Sequence, residues 1–363
     1  MAHELASLGL RPIPVMRPRV PTLEAVAPRL ARMDASGWFT NLGPQERELR
    51  ERFARRLGVD PAQVATVANA TLGIAGAIAV LGGERWLAPA FTFPGTLAGI
   101  ELAGARLVLC DVDADGWALV PGDEEVDGLV PVAPFGARPD VARWAGVRRV
   151  VHDAAASIGA LGPLDLVGLP DGHAIVLSLH ATKVLGAGEG GVVVFGDAAV
   201  AERFRAWTNF GFDGSRESSL AGANAKMSEI AACYAHAALD GWERERTEWA
   251  AARQLITEAC ADAGVRLHRA SADGIDPYAV LVFDGDAEAV SVAEHLARQG
   301  VETRRWWASG CHRMPAYRDR CTRSFPVTEV VAGRTLGIPF FRGITDEEVS
   351  RIRAALLSVP VPA

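Results

Sequence analysis

The sequence predicts an α/β fold built on a mostly parallel sheet, and three observations predict it. Short β-like runs alternate with helical segments along the first 220 residues. The runs are near-continuous in apolar residues rather than alternating, as strands covered on both faces require. At 363 residues the chain is long enough for a large core and more than one domain. Strands are expected at Arg106–Val112, Gly128–Val132, Arg149–His152, Ala174–Leu179 and Gly191–Phe195, with helices at Thr71–Leu81 and Thr96–Ala103 between them. That rhythm fits right-handed crossovers.

After Gly222 the character changes. Residues 224 to about 262 read as one long helix, with Met227, Ile230 and Tyr234 on one face. A strand at Ala279–Phe283, a helix at Ala287–Gln299 and a closing helix at Asp346–Leu357 suggest a smaller α+β region. Thr345 followed by Asp346, Glu347 and Glu348 reads as a helix N-cap with acids in the first turn. A boundary near residue 245 is expected, giving domains 1–245 and 246–363.

Composition narrows the function. Hydrophobic residues make up 49% and charged residues 22%, which excludes a disordered chain. A net charge of −7 argues against general affinity for nucleic acid or anionic membrane, and leaves a local anion pocket open. The five cysteines are scattered, with no metal-ligand spacing, so neither a metal site nor a disulfide framework is expected. With no secretory leader pattern and no long apolar run, a cytoplasmic location is the default.

The chemistry centres on Lys183. In Leu177-Ser178-Leu179-His180-Ala181-Thr182-Lys183 a strand ends and the lysine is presented before glycines and a new strand. The chain has two lysines, Lys183 and Lys226, against 35 arginines. Where arginine fills nearly every cationic role, a retained lysine suggests an amine that must deprotonate. Asp153 ends another apolar strand and suits the carboxylate that faces a pyridine nitrogen in pyridoxal-phosphate (PLP) chemistry. Asn69-Ala70-Thr71 opens a small-residue helix whose free N–H groups can bind phosphate, with Thr71 and Ser178 adding hydroxyls. Phe93 is the candidate ring to stack on the pyridine.

These segments, in this order, resemble the DegT/StrS-type sugar aminotransferases. The likeness extends through Ser36-Gly37-Trp38-Phe39-Thr40-Asn41-Leu42-Gly43-Pro44, Gly188-Glu189-Gly190-Gly191, Asn209-Phe210-Gly211-Phe212 and Gly222-Ala223-Asn224-Ala225-Lys226-Met227. It implies a fold-type I PLP-transferase: a large domain with a mixed, mostly parallel seven-stranded sheet and a smaller α+β C-terminal domain. It further implies that Lys183 holds PLP as a Schiff base and shuttles a proton, and that Asp153 pairs with the ring nitrogen. Ala70, Thr71 and Ser178 would hold the phosphate, with Phe93 over the ring. Asn224 would reach the phosphate of a neighbouring subunit in a homodimer. Glutamate would be the amino donor and a nucleotide-linked keto-hexose the acceptor.

The sequence departs from the family's pattern at Ala156, where the family commonly has His or Gln against the ring hydroxyl. The segment from Arg304 to His312 is unusually basic and aromatic. His180, Arg305 and Trp307 are the candidate substrate contacts, and for the arginine and tryptophan a surface or interface role stands beside that reading. Two rivals share the scaffold. A PLP keto-sugar dehydratase is disfavoured because that branch has histidine where Lys183 stands. A non-catalytic regulator is disfavoured because Lys183, Asp153 and Ser178 are all present. A nucleotide-dependent oxidoreductase lacks its GxGxxG after the first strand.

Overall fold

The computed structural model describes residues 11–270, 274–307, 309–319, 321 and 323–359. Ala308 of the aromatic segment and the first ten residues of the N-terminal arm fall outside them. Helices α1 (Leu23–Ser36) and α2 (Pro44–Leu57) precede β1 (Val64–Val67), α3 (Ala70–Leu81), β2 (Arg85–Pro89), α4 (Pro94–Leu102) and β3 (Arg106–Val112). Then come β4 (Leu119–Val120), β5 (Gly128–Leu129), β6 (Val150–Asp153), β7 (His173–Ser178), β8 (Gly191–Phe195) and α5 (Ala198–Thr208). The remainder is α6 (Glu229–Asp262), β9 (Leu267–His268), β10 (Ala279–Val282), α7 (Asp286–Arg298), α8 (Pro326–Arg334), β11 (Thr335–Ile338) and α9 (Asp346–Leu357).

The large sheet runs β1-β8-β7-β6-β5-β2-β3-β4. Seven strands form the expected mixed sheet, with β8 antiparallel to β7 and β1 and the others parallel. The two-residue β4 adds an eighth, antiparallel, on the far edge. Both faces are covered. Along β8, Val192 and Val194 join the core that contains Leu49 and Phe53 of α2 and Trp242 of α6. The alternate residues, Val193 and Phe195, join the core that contains Ile74 and Ile78 of α3 and Phe204 of α5. A second sheet, β11-β10-β9, is antiparallel.

Several elements differ from expectation for local reasons. The run Gly128–Val132 is regular only through Leu129, since Pro131 has no N–H to give the ladder. Val132 still bridges Asp153. The long helix begins at Glu229 rather than 224 because the Ser228 side chain accepts the Ala231 N–H at 3.1 Å and starts it there. Residues 224–226 are bonded elsewhere: Ala225 O accepts the N–H of Ala68, just past β1, at 2.8 Å, and the Ala225 and Lys226 N–H groups donate to Thr208 O at 2.9 and 3.2 Å. Residue 245 lies inside this 34-residue helix. Thr345 caps α9 in a reciprocal box with Glu348.

His236 of α6 is fully buried. Its Nδ1 accepts from Arg52 Nη1 at 3.0 Å, so Nε2 carries the hydrogen donated to Gln45 O at 2.9 Å. Burial, aided by Arg29 and Arg52, lowers its pKa to about 4. The unfolded chain therefore binds a proton below about pH 6.5 that the folded chain refuses until about 4, and stability falls as pH drops through that window. The slope reaches about 1.4 kcal/mol per pH unit for this one group. His236→Gln keeps a donor without the titration. It should be less stable than the parent at pH 7.5 by about 1 kcal/mol, with the gap closing as pH falls below about 6.5 and its sign reversed by about pH 5. Urea midpoints at the two pH values check this; a constant gap would refute it.

Candidate active site

The C-terminal ends of β1, β7, β6 and β2 lie along one edge of the sheet, where open α/β sheets place their ligands. Registers align them: Val67 and Ser178 both pair with Gly191, and Asp153 pairs with Val176. Gly191 is required at that point, because a Cβ there would sit 2.8 Å from Val67 Cγ1 and 3.2 Å from the Ala70 nitrogen. Around this edge opens a cavity of about 600 Å³. Ala70, Thr71, Phe93, Asp153, Ser178, His180, Lys183 and Trp307 all line it.

Helix α3 starts at the cavity. Asn69 Oδ1 accepts the Leu72 N–H at 3.0 Å, which orients the first turn. The N–H groups of Ala70 and Thr71, the first two helical residues, have no acceptor within the helix. Ser178 Oγ accepts the His180 N–H at 3.1 Å and keeps its own hydrogen to donate. Phe93 is 61% exposed yet lines the cavity, which leaves one ring face available. Gly95 permits this, since a Cβ there would lie 3.0 Å from both Phe93 Cδ1 and Thr71 Oγ1.

Asp153 is buried at the end of β6. Its Oδ2 accepts from Thr96 Oγ1 at 2.6 Å, and its Oδ1 from the Ala155 N–H at 3.1 Å. Thr96 spends its hydrogen on the carboxylate, so Thr92 is the donor in the 2.7 Å contact between the two threonines. Burial pushes the Asp153 carboxyl above its ordinary range, against the opposing pull of Thr96, the Ala155 N–H and the Lys183 charge. A buried carboxylate under this pressure is poised for a cationic partner. Lys183 Nζ donates to the Tyr278 hydroxyl at 2.8 Å.

His180 Nδ1 accepts the Thr182 N–H at 3.2 Å, which assigns the neutral ring's hydrogen to Nε2. Trp307 stacks on Phe135 with centroids 4.6 Å apart, forming an aromatic wall. Arg305 corrects an expectation. It ion-pairs with Asp286 and donates to Gly333 O at 2.9 Å, and its neighbour Arg304 lines the cavity instead. Arg304 bridges Gly337 of β11, and the chain then turns at Trp306 and Trp307, both of which line the cavity. Asn224 does not line the cavity of its own chain; it is exposed, and its Oδ1 accepts from Lys226 Nζ at 2.5 Å.

Thr96, Tyr278 and Phe135 belong to the site and escaped the sequence reading, whereas Arg304 and Trp306 lie in the segment it singled out but are not the members it named. Thr96 and Tyr278 carried no local signal, being 57 and 95 residues from the groups they bond. No local pattern in the sequence favours Arg304 over Arg305. Among the described residues, no group of three His, Cys, Asp or Glu side chains gathers where it could hold a metal ion. No described helix is long and apolar enough to cross a membrane.

This sheet, with a buried carboxylate at the end of β6 and an amine in the turn after β7, has the fold of the PLP-dependent aminotransferases. Residues 23–357 match the model of the DegT/DnrJ/EryC1/StrS aminotransferase family, and the chain belongs to that family. A Bacillus cereus structure described as a PLP-dependent aminotransferase is 27% identical, with a TM-score of 0.85 over 95% of this chain and 100% of its own. DesI, solved in the presence of its TDP-sugar product, is 31% identical, with a TM-score of 0.82 over 98% of this chain and 96% of its own. The dTDP-4-amino-4,6-dideoxy-D-glucose transaminase of Shigella dysenteriae is 30% identical over 62% of this chain and 64% of its own.

The residues present fit PLP. Two free N–H groups and two hydroxyls suit a phosphate. An aromatic face suits the ring, a buried carboxylate suits the ring nitrogen, and a primary amine suits the aldehyde.

Proposed function

We propose that this chain transfers the amino group of glutamate to a nucleotide-linked keto-sugar, with PLP bound at Lys183. The observation that carries the reading is one cavity lined by the Lys183 amine and the buried Asp153 carboxylate, with Arg304 and two tryptophans on its wall. When bound, the cofactor supplies an electron sink for carbanion formation. Asp153 would hold a proton on the ring nitrogen, and Ala70, Thr71 and Ser178 would hold the phosphate. Phe93 would exclude water from one ring face. Lys183 Nζ would move the proton on the substrate carbon. Arg304, with the planar fork that suits phosphate oxygens, and Trp306, with a face for a base, supply donors for a nucleotide diphosphate. The sugar nucleotides named for DesI and the Shigella enzyme support that class.

A homodimer with shared sites is part of the proposal. Phe39, Phe210 and Ile230 are exposed, and backbone bonds join their segments: Glu229 N–H to Phe39 O at 3.1 Å, and the Asn209–Asn224 bridge. An apolar surface there would set Asn224 towards a partner's phosphate. Five free thiols, four of them buried, suit a reducing cytoplasm.

The test offers the purified protein PLP, glutamate and a panel of nucleotide-linked 4-keto and 3-keto hexoses, and follows 2-oxoglutarate. Glutamate should be consumed beyond one equivalent per site only when a keto-sugar nucleotide is present. Turnover with simple 2-oxo acids alone would contradict the proposal.

A further inference from the structure

We propose that Tyr278 sets the protonation of the nitrogen joining Lys183 to its cofactor, by donating its phenolic hydrogen to the cofactor's ring hydroxyl oxygen. This rests on the reading of Lys183 given above. The carrying observation is the 2.8 Å contact between Lys183 Nζ and the Tyr278 hydroxyl. In pyridoxal phosphate the ring hydroxyl sits on the carbon next to the one that bears the aldehyde. Once the amine has joined the aldehyde carbon, that nitrogen and the ring oxygen are neighbours and share one proton. A hydroxyl already at hydrogen-bond distance from Nζ is then within reach of the oxygen.

The phenol is held firmly enough to act there. Arg253 Nη2 donates to Tyr278 O at 2.5 Å and to Asp276 Oδ1 at 2.5 Å, and Asp276 Oδ1 accepts the Tyr278 N–H at 3.1 Å. The ring is wedged edge-on between Phe135, 5.6 Å away, and Trp306, 5.2 Å away. Ala156 lines the same cavity and has no polar side-chain atom to compete for the oxygen. The charged and titratable groups around the pair are Asp153, His180, Glu189 and Arg304 on the cavity wall, Arg17, Arg19 and Arg342 lining a second pocket that also reaches Lys183, and Arg253 and Asp276 behind the tyrosine. Of these, only the tyrosine hydroxyl is bonded to Lys183 Nζ among the described contacts. No covalent step is involved: the phenol keeps its hydrogen and lends it to the oxygen. That stabilises the oxyanion and loosens its hold on the proton shared with nitrogen.

The experiment is an absorbance titration of the PLP-loaded full chain from about pH 5.5 to 9, following a band near 420 nm that converts to one near 360 nm, roughly. In Tyr278→Phe the ring oxygen loses its donor and grips the shared proton more tightly. The midpoint should move up by about one pH unit, a tenfold change, with the band retained. Arg253→Gln keeps the phenol but loosens it from behind, and should move the midpoint the same way by less. If Tyr278→Phe cannot take up cofactor, the Arg253→Gln titration decides. A midpoint that stays put or falls overturns the inference while leaving the reading of Lys183 intact. A wild-type chain that shows no band with PLP defeats that reading itself.

Discussion

Lys183→Ala is expected to lower kcat for transamination by more than about 10⁴-fold, because one nitrogen serves as covalent anchor and as proton shuttle. The fold should survive the change. Lys183 is partly buried and its recorded side-chain bond is the one to Tyr278, so about 1 kcal/mol of stability is at stake. Lys226, the chain's other lysine, is bonded to Asn224 outside the cavity and cannot substitute. Paired measurements of kcat and melting temperature separate loss of chemistry from loss of structure. Activity within tenfold of the parent would remove Lys183 from the mechanism.

Asp153→Asn should lower kcat by about 10²–10³-fold, the scale of removing one pre-placed electrostatic contact. Its effect on stability should take the other sign. The folded carboxyl sits above its ordinary range, chiefly through burial. Such a group contributes stability that is fully present below the ordinary pKa and is lost as pH rises through the folded value. At neutral pH the buried charge is therefore a cost in the empty protein, and asparagine relieves it, its one amide oxygen still accepting from Thr96 while the longer Ala155 N–H bond is given up. The cofactor-free variant should melt at or above the parent's temperature, whereas the rise in melting temperature on adding PLP should shrink. A variant that binds PLP as the parent does and turns over normally would show that the carboxylate does not face the ring nitrogen.

What the sequence disclosed and what it hid divide along physical lines. Strands β3 and β8 were legible to the residue because each is an apolar run between turn residues. Strands β1 and β2 were not, being four and five residues long and carrying Thr66 and Arg85 in otherwise apolar runs. Asp153 and Ser178 announced themselves by standing at strand ends, where a polar residue after an apolar run is conspicuous, and Lys183 by being one of two lysines, in the turn after a strand. Thr96 lies inside a helix of small residues and looks like packing until the structure sets it 2.6 Å from Asp153. Tyr278 is further still, since its role depends on β10 of the smaller sheet returning to the cavity. Arg305 was misplaced because a basic pair carries no label for which member faces inward; its ion pair with Asp286 and bond to Gly333 O hold it away from the cavity.

The central claim is that Lys183 Nζ forms the covalent link to pyridoxal phosphate. The direct measurement is borohydride reduction of the PLP-loaded protein, which fixes any carbon–nitrogen double bond as a stable amine, followed by peptide mapping by mass spectrometry. A single phosphopyridoxyl group should appear, on the peptide that contains Lys183. A group on Lys226, or no fixed group after reduction, would contradict it.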